Sequence, residues 1–223
     1  MHRGLGLVTS RLLLVIDASA VPASVSLFRD RELLGAHRID RAGSAELLAP
    51  TVAELLQSEG LMASALTDIA VGAGPGSFTG LRVAAALAKG LARGGNATLH
   101  AVPSLPLIAA ANDDARPGTW LCVLDALRGE WFVQQVTLRD DRTWHVDGAV
   151  ERLPAQHVRD RALASGAIIV GPPIDVAQQP DARGALRIGI TPVPRDTWEP
   201  DYGRLAEAQV VWEAANARAL PSS

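Results

Sequence analysis

Residues 68–82 read DIAVGAGPGSFTGLR, a short apolar run, a turn dense in glycine and the start of an alanine-rich stretch. An apolar run of strand length, then Gly-Pro-Gly, then apolar residues at helical spacing specify strand, tight turn and helix. The spacing predicts a strand over 68–72, a turn over 74–80 and a helix over 81–93 that buries Val83, Leu87 and Leu91. Such a junction gathers free backbone amides and a helix N-terminus at one point, an arrangement that can receive an anion. Two details weigh against a phosphate. The loop ends Gly80-Leu81-Arg82 where a Walker loop has Gly-Lys-Ser/Thr, and Ser77 stands where a dinucleotide fingerprint has its third glycine. The plainer reading of Gly74, Pro75, Gly76, Ser77, Phe78, Thr79 and Gly80 is a tight turn set by the proline, with Phe78 in the core and Ser77 or Thr79 as cap or donor.

Upstream, residues 11–17, 23–28 and 32–39 read as a three-stranded antiparallel meander. Ser44 is a candidate cap for a helix reaching about Ser58, with Leu48, Val52, Leu55 and Leu56 on one face and Glu46 in the first turn. Downstream come a strand over 98–102 and a helix capped by Ser104 that fades at Asn112. The second half repeats the order, with strands over 120–125, 130–138 and 144–150, a helix over 155–164 and a strand over 167–171. Proline-rich irregular chain over 172–200 leads to a closing helix over 202–219. Strand-strand-strand-helix-strand, stated twice, predicts a duplicated α/β protein with lobes at 1–112 and 113–223 and a cleft between them. This pattern resembles the duplicated ribonuclease-H-like fold of the actin, sugar kinase and Hsp70 (ASKHA) superfamily.

Composition narrows the function. The 223 residues are 48% hydrophobic and carry a formal net charge of −3, enough chain for a core that needs no metal or disulfide staple. Cys122 is the single cysteine, so no internal disulfide forms, and no apolar run approaches the ~20 residues that span a bilayer. No leader is legible at the N-terminus, and a cytoplasmic location is expected. The acidic balance argues against bulk electrostatic binding of nucleic acid. Twenty arginines against one lysine, Lys89, read first as a GC-rich codon bias. Seven of the nine aromatics fall between Trp120 and Trp212, as expected of core in the second half.

Asp17 and Ser19 end the first strand, and Asp125 ends its counterpart in the second half. Two carboxylates facing a cleft can hold a divalent cation when phosphates complete the shell, or each can cap a turn. The second possibility gains from the residues after Asp125, Ala-Leu-Arg-Gly, which make no glycine-threonine phosphate loop. His2, His37, His100, His145 and His157 show no metal-ligand spacing, and no nucleophile motif surrounds a serine or Cys122. On the helix after the glycine turn, Arg82, Lys89 and Arg93 flank Ala84, Ala85 and Ala88, a smooth face suited to another helix.

Residues 13–19 (LLVIDAS), 46–50 (ELLAP), 68–82, 102–104 (VPS), 125–130 (DALRGE) and 200–215 together resemble the bacterial TsaB family, also called YeaZ. GPGSFTGLR is the most specific of these stretches. The resemblance implies a non-catalytic scaffold or activator in the formation of threonylcarbamoyladenosine at position 37 of ANN-decoding tRNAs. It implies pairing with a TsaD-type paralogue, joined by a TsaE-type ATPase, with ATP and metal on those partners and no cofactor on this chain. It places the partner interface on the two helices of the first lobe, at Glu46, Leu47, Pro50, Leu81, Arg82, Ala85 and Lys89, with a homodimer as the competing use and tRNA contact indirect. Ser44 and Ala45 before Glu46, Ala73 and Leu127 depart from the family pattern by loss of polar groups. The alternative is an ATP-dependent small-molecule kinase or ATPase of the same superfamily, working at Asp17, Ser19, Asp125 and the glycine turn.

Overall fold

The computed structural model of the chain describes residues 10–40, 44–175 and 177–203. The first lobe opens with the antiparallel meander β1 (Leu12–Asp17), β2 (Ala23–Arg29) and β3 (Glu32–Ile39). Helix α1 (Ser44–Ser58) leads to β4 (Asp68–Gly72), α2 (Phe78–Gly95), β5 (Thr98–Val102) and α3 (Ser104–Ala110). The second lobe holds β6 (Gly118–Asp125), β7 (Glu130–Leu138), β8 (Trp144–Pro154), α4 (Ala155–Ser165) and β9 (Ile168–Val170). The short α5 (Ala185–Ile188) and β10 (Thr191–Pro192) come last.

The sheet orders are β10-β5-β4-β1-β2-β3 and β8-β7-β6-β9. In each sheet a meander's first strand lies beside a parallel strand that arrives after a helix, β4 on β1 and β9 on β6. The repeated topology is the structural trace of duplication. All six residues of β1 are buried, as a strand covered on both faces requires. Leu14 and Ile16 pack with Leu48 and Leu55 of α1 and with Ala84, Ala88 and Ala92 of α2. Leu13 and Val15 face the other way, onto Leu107 of α3. Leu105 and Ile108, also on α3, pack against Cys122, Leu124 and Phe132 of the second sheet. Every residue of α3 is buried, so this one short helix joins both lobes.

Several expectations are corrected. Helix α2 starts at Phe78, because Ser77 caps it by accepting from the Gly80 amide. Its buried face is Leu81, Ala84, Ala85, Ala88 and Ala92, while Val83 is exposed and Leu87 and Leu91 are only partly covered. Small residues let the helix lie close to β4 and α1, so the alanines point inward and are not a smooth outer surface. Phe78 is half-buried against Tyr202, with ring centroids 4.6 Å apart, and does not enter the core. Ser104 makes no cap; Pro103 occupies that position and the hydroxyl is engaged elsewhere. The 172–200 stretch is not all irregular: residues 182–192 return to the first lobe, where Ala182 and Ala185 join the Leu13 and Val15 cluster and β10 pairs with β5. Trp198 likewise packs on the first lobe's core. The closing helix expected over 202–219 falls outside the described residues from 204 onward.

Candidate functional site

Asp17 stands at the C-terminal end of β1, where the chain must turn and leave its last polar groups unpaired by the sheet. Its Oδ1 accepts from the Ser19 amide (3.0 Å) and the Ser19 hydroxyl (2.6 Å). Its Oδ2 accepts from the Ser104 hydroxyl at 2.6 Å, and Ser104 Oγ accepts in turn from the Gly74 amide at 3.1 Å. The carboxylate is 1% exposed. Burial pushes its pKa above the ordinary carboxylate value, against the pull of the hydrogen bonds from Ser104 and Ser19. A carboxylate so enclosed ties β1, the glycine turn and α3 together and is not presented to a cation.

Five amides in and around the glycine turn are engaged in the same way. Ala73 N donates to Val102 O, Gly74 N to Ser104 Oγ, Ser77 N to Ser19 O, Gly80 N to Ser77 Oγ and Leu81 N to Ser77 O. Amides occupied by protein acceptors are not available to an anion. The glycines serve packing: a Cβ on Gly72 would stand 2.1 Å from Asp17 Oδ2, and one on Gly80 2.0 Å from Ala18 O. Gly74, with φ +88°, runs so close to Asp201 that a Cβ would lie 1.9 Å from its carbonyl oxygen. The turn is a joint between lobes and segments. Thr79 is exposed beside it.

Between the lobes lies a cavity of about 320 Å³, lined in part by Ser19, Gly76, Ser77, Asp125, Phe132 and Gln179. Asp125 is exposed there and caps its own turn, accepting from the Leu127 amide at 2.8 Å, the same i to i+2 geometry that Asp17 makes with Ser19. Among the described residues no lysine or arginine lines this cleft, and no group of three His, Cys, Asp or Glu side chains is placed to hold a metal ion. Cys122 is buried in β6, its thiol pushed up to about 12 by desolvation, and is no nucleophile.

The expected partner residues scatter. Glu46, Pro50 and Arg82 are exposed, and the Arg82 guanidinium lies over the Phe78 ring at 5.3 Å. Leu47 is half-buried against the first core. Leu81 and Ala85 are 0% and 3% exposed and face inward. Lys89 is paired with Glu199 at 2.6 Å. What residue spacing could not find is Ser104: the Asp17 contact spans 87 positions, and only the Val-Pro-Ser stretch marks it locally.

The duplicated sheets and the cleft between them define a two-lobe α/β protein of the actin, sugar kinase and Hsp70 class. A family model described as "TsaD: tRNA N6-adenosine threonylcarbamoyltransferase" matches residues 40–150. The chain is 27% identical over 169 residues to "tRNA threonylcarbamoyladenosine biosynthesis protein TsaB" of Escherichia coli (strain K12), covering 71% of this chain and 70% of that one. It is 31% identical over 125 residues to the protein of the same name from Haemophilus influenzae, covering 56% and 53%. The solved structure "YeaZ from Pseudomonas aeruginosa" superposes with a TM-score of 0.72 at 24% identity, over 86% of this chain and 99% of that chain. The chain belongs to the TsaB (YeaZ) family.

Proposed function

We propose that this chain takes part in forming threonylcarbamoyladenosine on tRNA as a non-catalytic subunit that supports a TsaD-type transferase, with a TsaE-type ATPase in the assembly. The named relatives are threonylcarbamoyladenosine biosynthesis proteins. The observation that carries the non-catalytic role is the enclosure of Asp17 by Ser19 and Ser104. A kinase or ATPase of this fold needs a carboxylate open to the metal and donors or cations for phosphates. Here the carboxylate and the amides of Ala73, Gly74, Ser77, Gly80 and Leu81 are occupied by the protein's own groups. ATP and metal therefore belong to the partners, and the site of action is cytoplasmic. The partner face is the exposed part of α1 and α2, at Glu46, Pro50 and Arg82.

The test is a reconstitution that omits one component at a time. Unmodified tRNA, threonine, bicarbonate, ATP and the other biosynthetic proteins are combined with and without this chain, and threonylcarbamoyladenosine is quantified by mass spectrometry. Product only in its presence is the expected result. Equal product without it sinks the reading, and calorimetric binding of magnesium-ATP by the isolated chain would revive the kinase alternative.

A further inference from the structure

On the first lobe, the turn between β2 and β3 meets the segment that returns from the second lobe. A cavity of about 270 Å³ opens between them, lined by the apolar Phe28, Leu33 and Leu186 and by the charged Arg31, Arg183, Arg187 and Asp113. The guanidinium groups are held at fixed places. Arg183 grips both oxygens of Asp181, Nε donating to Oδ1 at 3.1 Å and to Oδ2 at 3.0 Å, and Nη2 to Oδ2 at 2.8 Å. Arg187 donates to Ala110 O at 2.9 Å and pairs with Asp113. Arg31 has no hydrogen bond or ion pair among the described residues. Arg142 reaches in from the second lobe to Ala115 O and Asp113 O.

Three arginines and one carboxylate line the pocket, in a chain whose net charge is negative. Arg183 also lines an adjoining cavity of about 160 Å³ with Arg38 and Gln178, so the basic edge continues beyond the first pocket. An unpaired Arg31 guanidinium beside an Arg187 held only by an exposed carboxylate and one carbonyl, with apolar side chains between them, matches an oxyanion on a partly apolar carrier. We propose that this pocket binds a phosphate group, with Arg31 as the free cation and Asp113 as the anion that must be displaced from Arg187 when the phosphate enters. Its source is a phosphodiester of RNA or a small free phosphate. The RNA source rests on the tRNA-modifying role proposed above; the phosphate chemistry does not.

The experiment uses the full chain and two opposed surface changes. Binding of a fluorescently labelled tRNA transcript is titrated over a salt series for the wild type, Arg31→Glu, Asp113→Asn and, as a distant control, Arg159→Glu. Loss of one phosphate contact in Arg31→Glu should weaken binding and lower the slope of log K against log salt by about one. Asp113→Asn, which frees Arg187, should tighten binding severalfold, and Arg159→Glu should match the wild type. A second arm titrates pyrophosphate by calorimetry with the same variants. If pyrophosphate alone binds with this dependence, the pocket takes a free phosphate; if tRNA does, it takes an RNA backbone. Binding of neither, or equal effects of Arg31→Glu and Arg159→Glu, overturns the proposal. Because the readout is direct binding, it fails or succeeds separately from product formation in the reconstitution.

Discussion

The Ser104 hydroxyl donates to Asp17 Oδ2 at 2.6 Å, joining the end of the first strand to the start of the helix that both lobes share. The same oxygen accepts from Gly74, so one side chain closes a buried polar relay of carboxylate, hydroxyl and amide. Ser104→Ala leaves a buried amide and one carboxylate oxygen without partners. An unsatisfied buried group costs about 1–3 kcal/mol, and the loss should appear as a lowered urea midpoint with an unchanged m-value. Ser104→Cys, close in size and a weak donor, should recover part of it.

Two glycines of α2 make opposite predictions. A Cβ on Gly80 meets Ala18 O at 2.0 Å, whereas one on Gly90 meets nothing within 4 Å. Alanine is the better helix former by about 1 kcal/mol, so Gly90→Ala should raise the thermal midpoint. Gly80→Ala gains the same propensity yet forces the helix away from β1, and net destabilisation is expected in the same calorimetric scan. Stabilisation by both would mean that the glycine turn is not held against residues 17–19.

How far the sequence could be read depends on which interactions are local. The strands β1, β4 and β5 are apolar runs bounded by polar or glycine residues, and periodicity suffices to place them. The start of α2 is read three residues late, at Leu81, although Ser77 stands as a candidate cap, because the glycines of the turn mask the first helical residues. Its buried face was not legible, because Ala84, Ala88 and Ala92 are compatible with an outer surface or with close internal packing, and only the neighbouring sheet decides. Strand β10 has two residues and exists through pairing with Ala101 and His100, which no local pattern announces. At the site, a carboxylate ending β1 was visible in the sequence, but its enclosure depends on a serine brought in by tertiary structure.

Asp68 gives the fold an acid-sensitive element. Burial alone would raise its carboxyl pKa, but hydrogen bonds from Arg11 (2.9 Å), Thr67 (2.8 Å) and His100 (2.6 Å) outweigh that and hold it below the ordinary 3.8. A carboxyl with a depressed folded-state pKa contributes stability above its unfolded pKa and loses it as pH falls through the folded value. Asp17, raised by burial, acts with the opposite sign, its contribution lost as pH rises. The difference between wild type and Asp68→Asn isolates the first. That difference should favour the wild type at neutral pH and shrink as unfolding is followed down to about pH 3.

The last described segment runs antiparallel along α2 and changes what the helix can offer a partner. Asp196 pairs with Arg93 at 2.7 Å and Glu199 with Lys89 at 2.6 Å, the Asp201 amide donates to Ala73 O, and Tyr202 stacks on Phe78. Exposed ion pairs contribute about 0.2–1 kcal/mol, so the Lys89→Glu and Glu199→Lys singles should each lose a little stability and the double should regain it. Arg82 has its guanidinium over Phe78 and no ion pair among the described residues, leaving its charge for another molecule. Charge reversal should therefore separate the two residues: Lys89→Glu shifts the unfolding midpoint and leaves association with the TsaD-type partner intact, whereas Arg82→Glu weakens association about tenfold in calorimetry. If Lys89→Glu abolishes association while Arg82→Glu does not, the partner displaces residues 196–202 from α2, and the segment that covers the helix in the free chain is the one that moves.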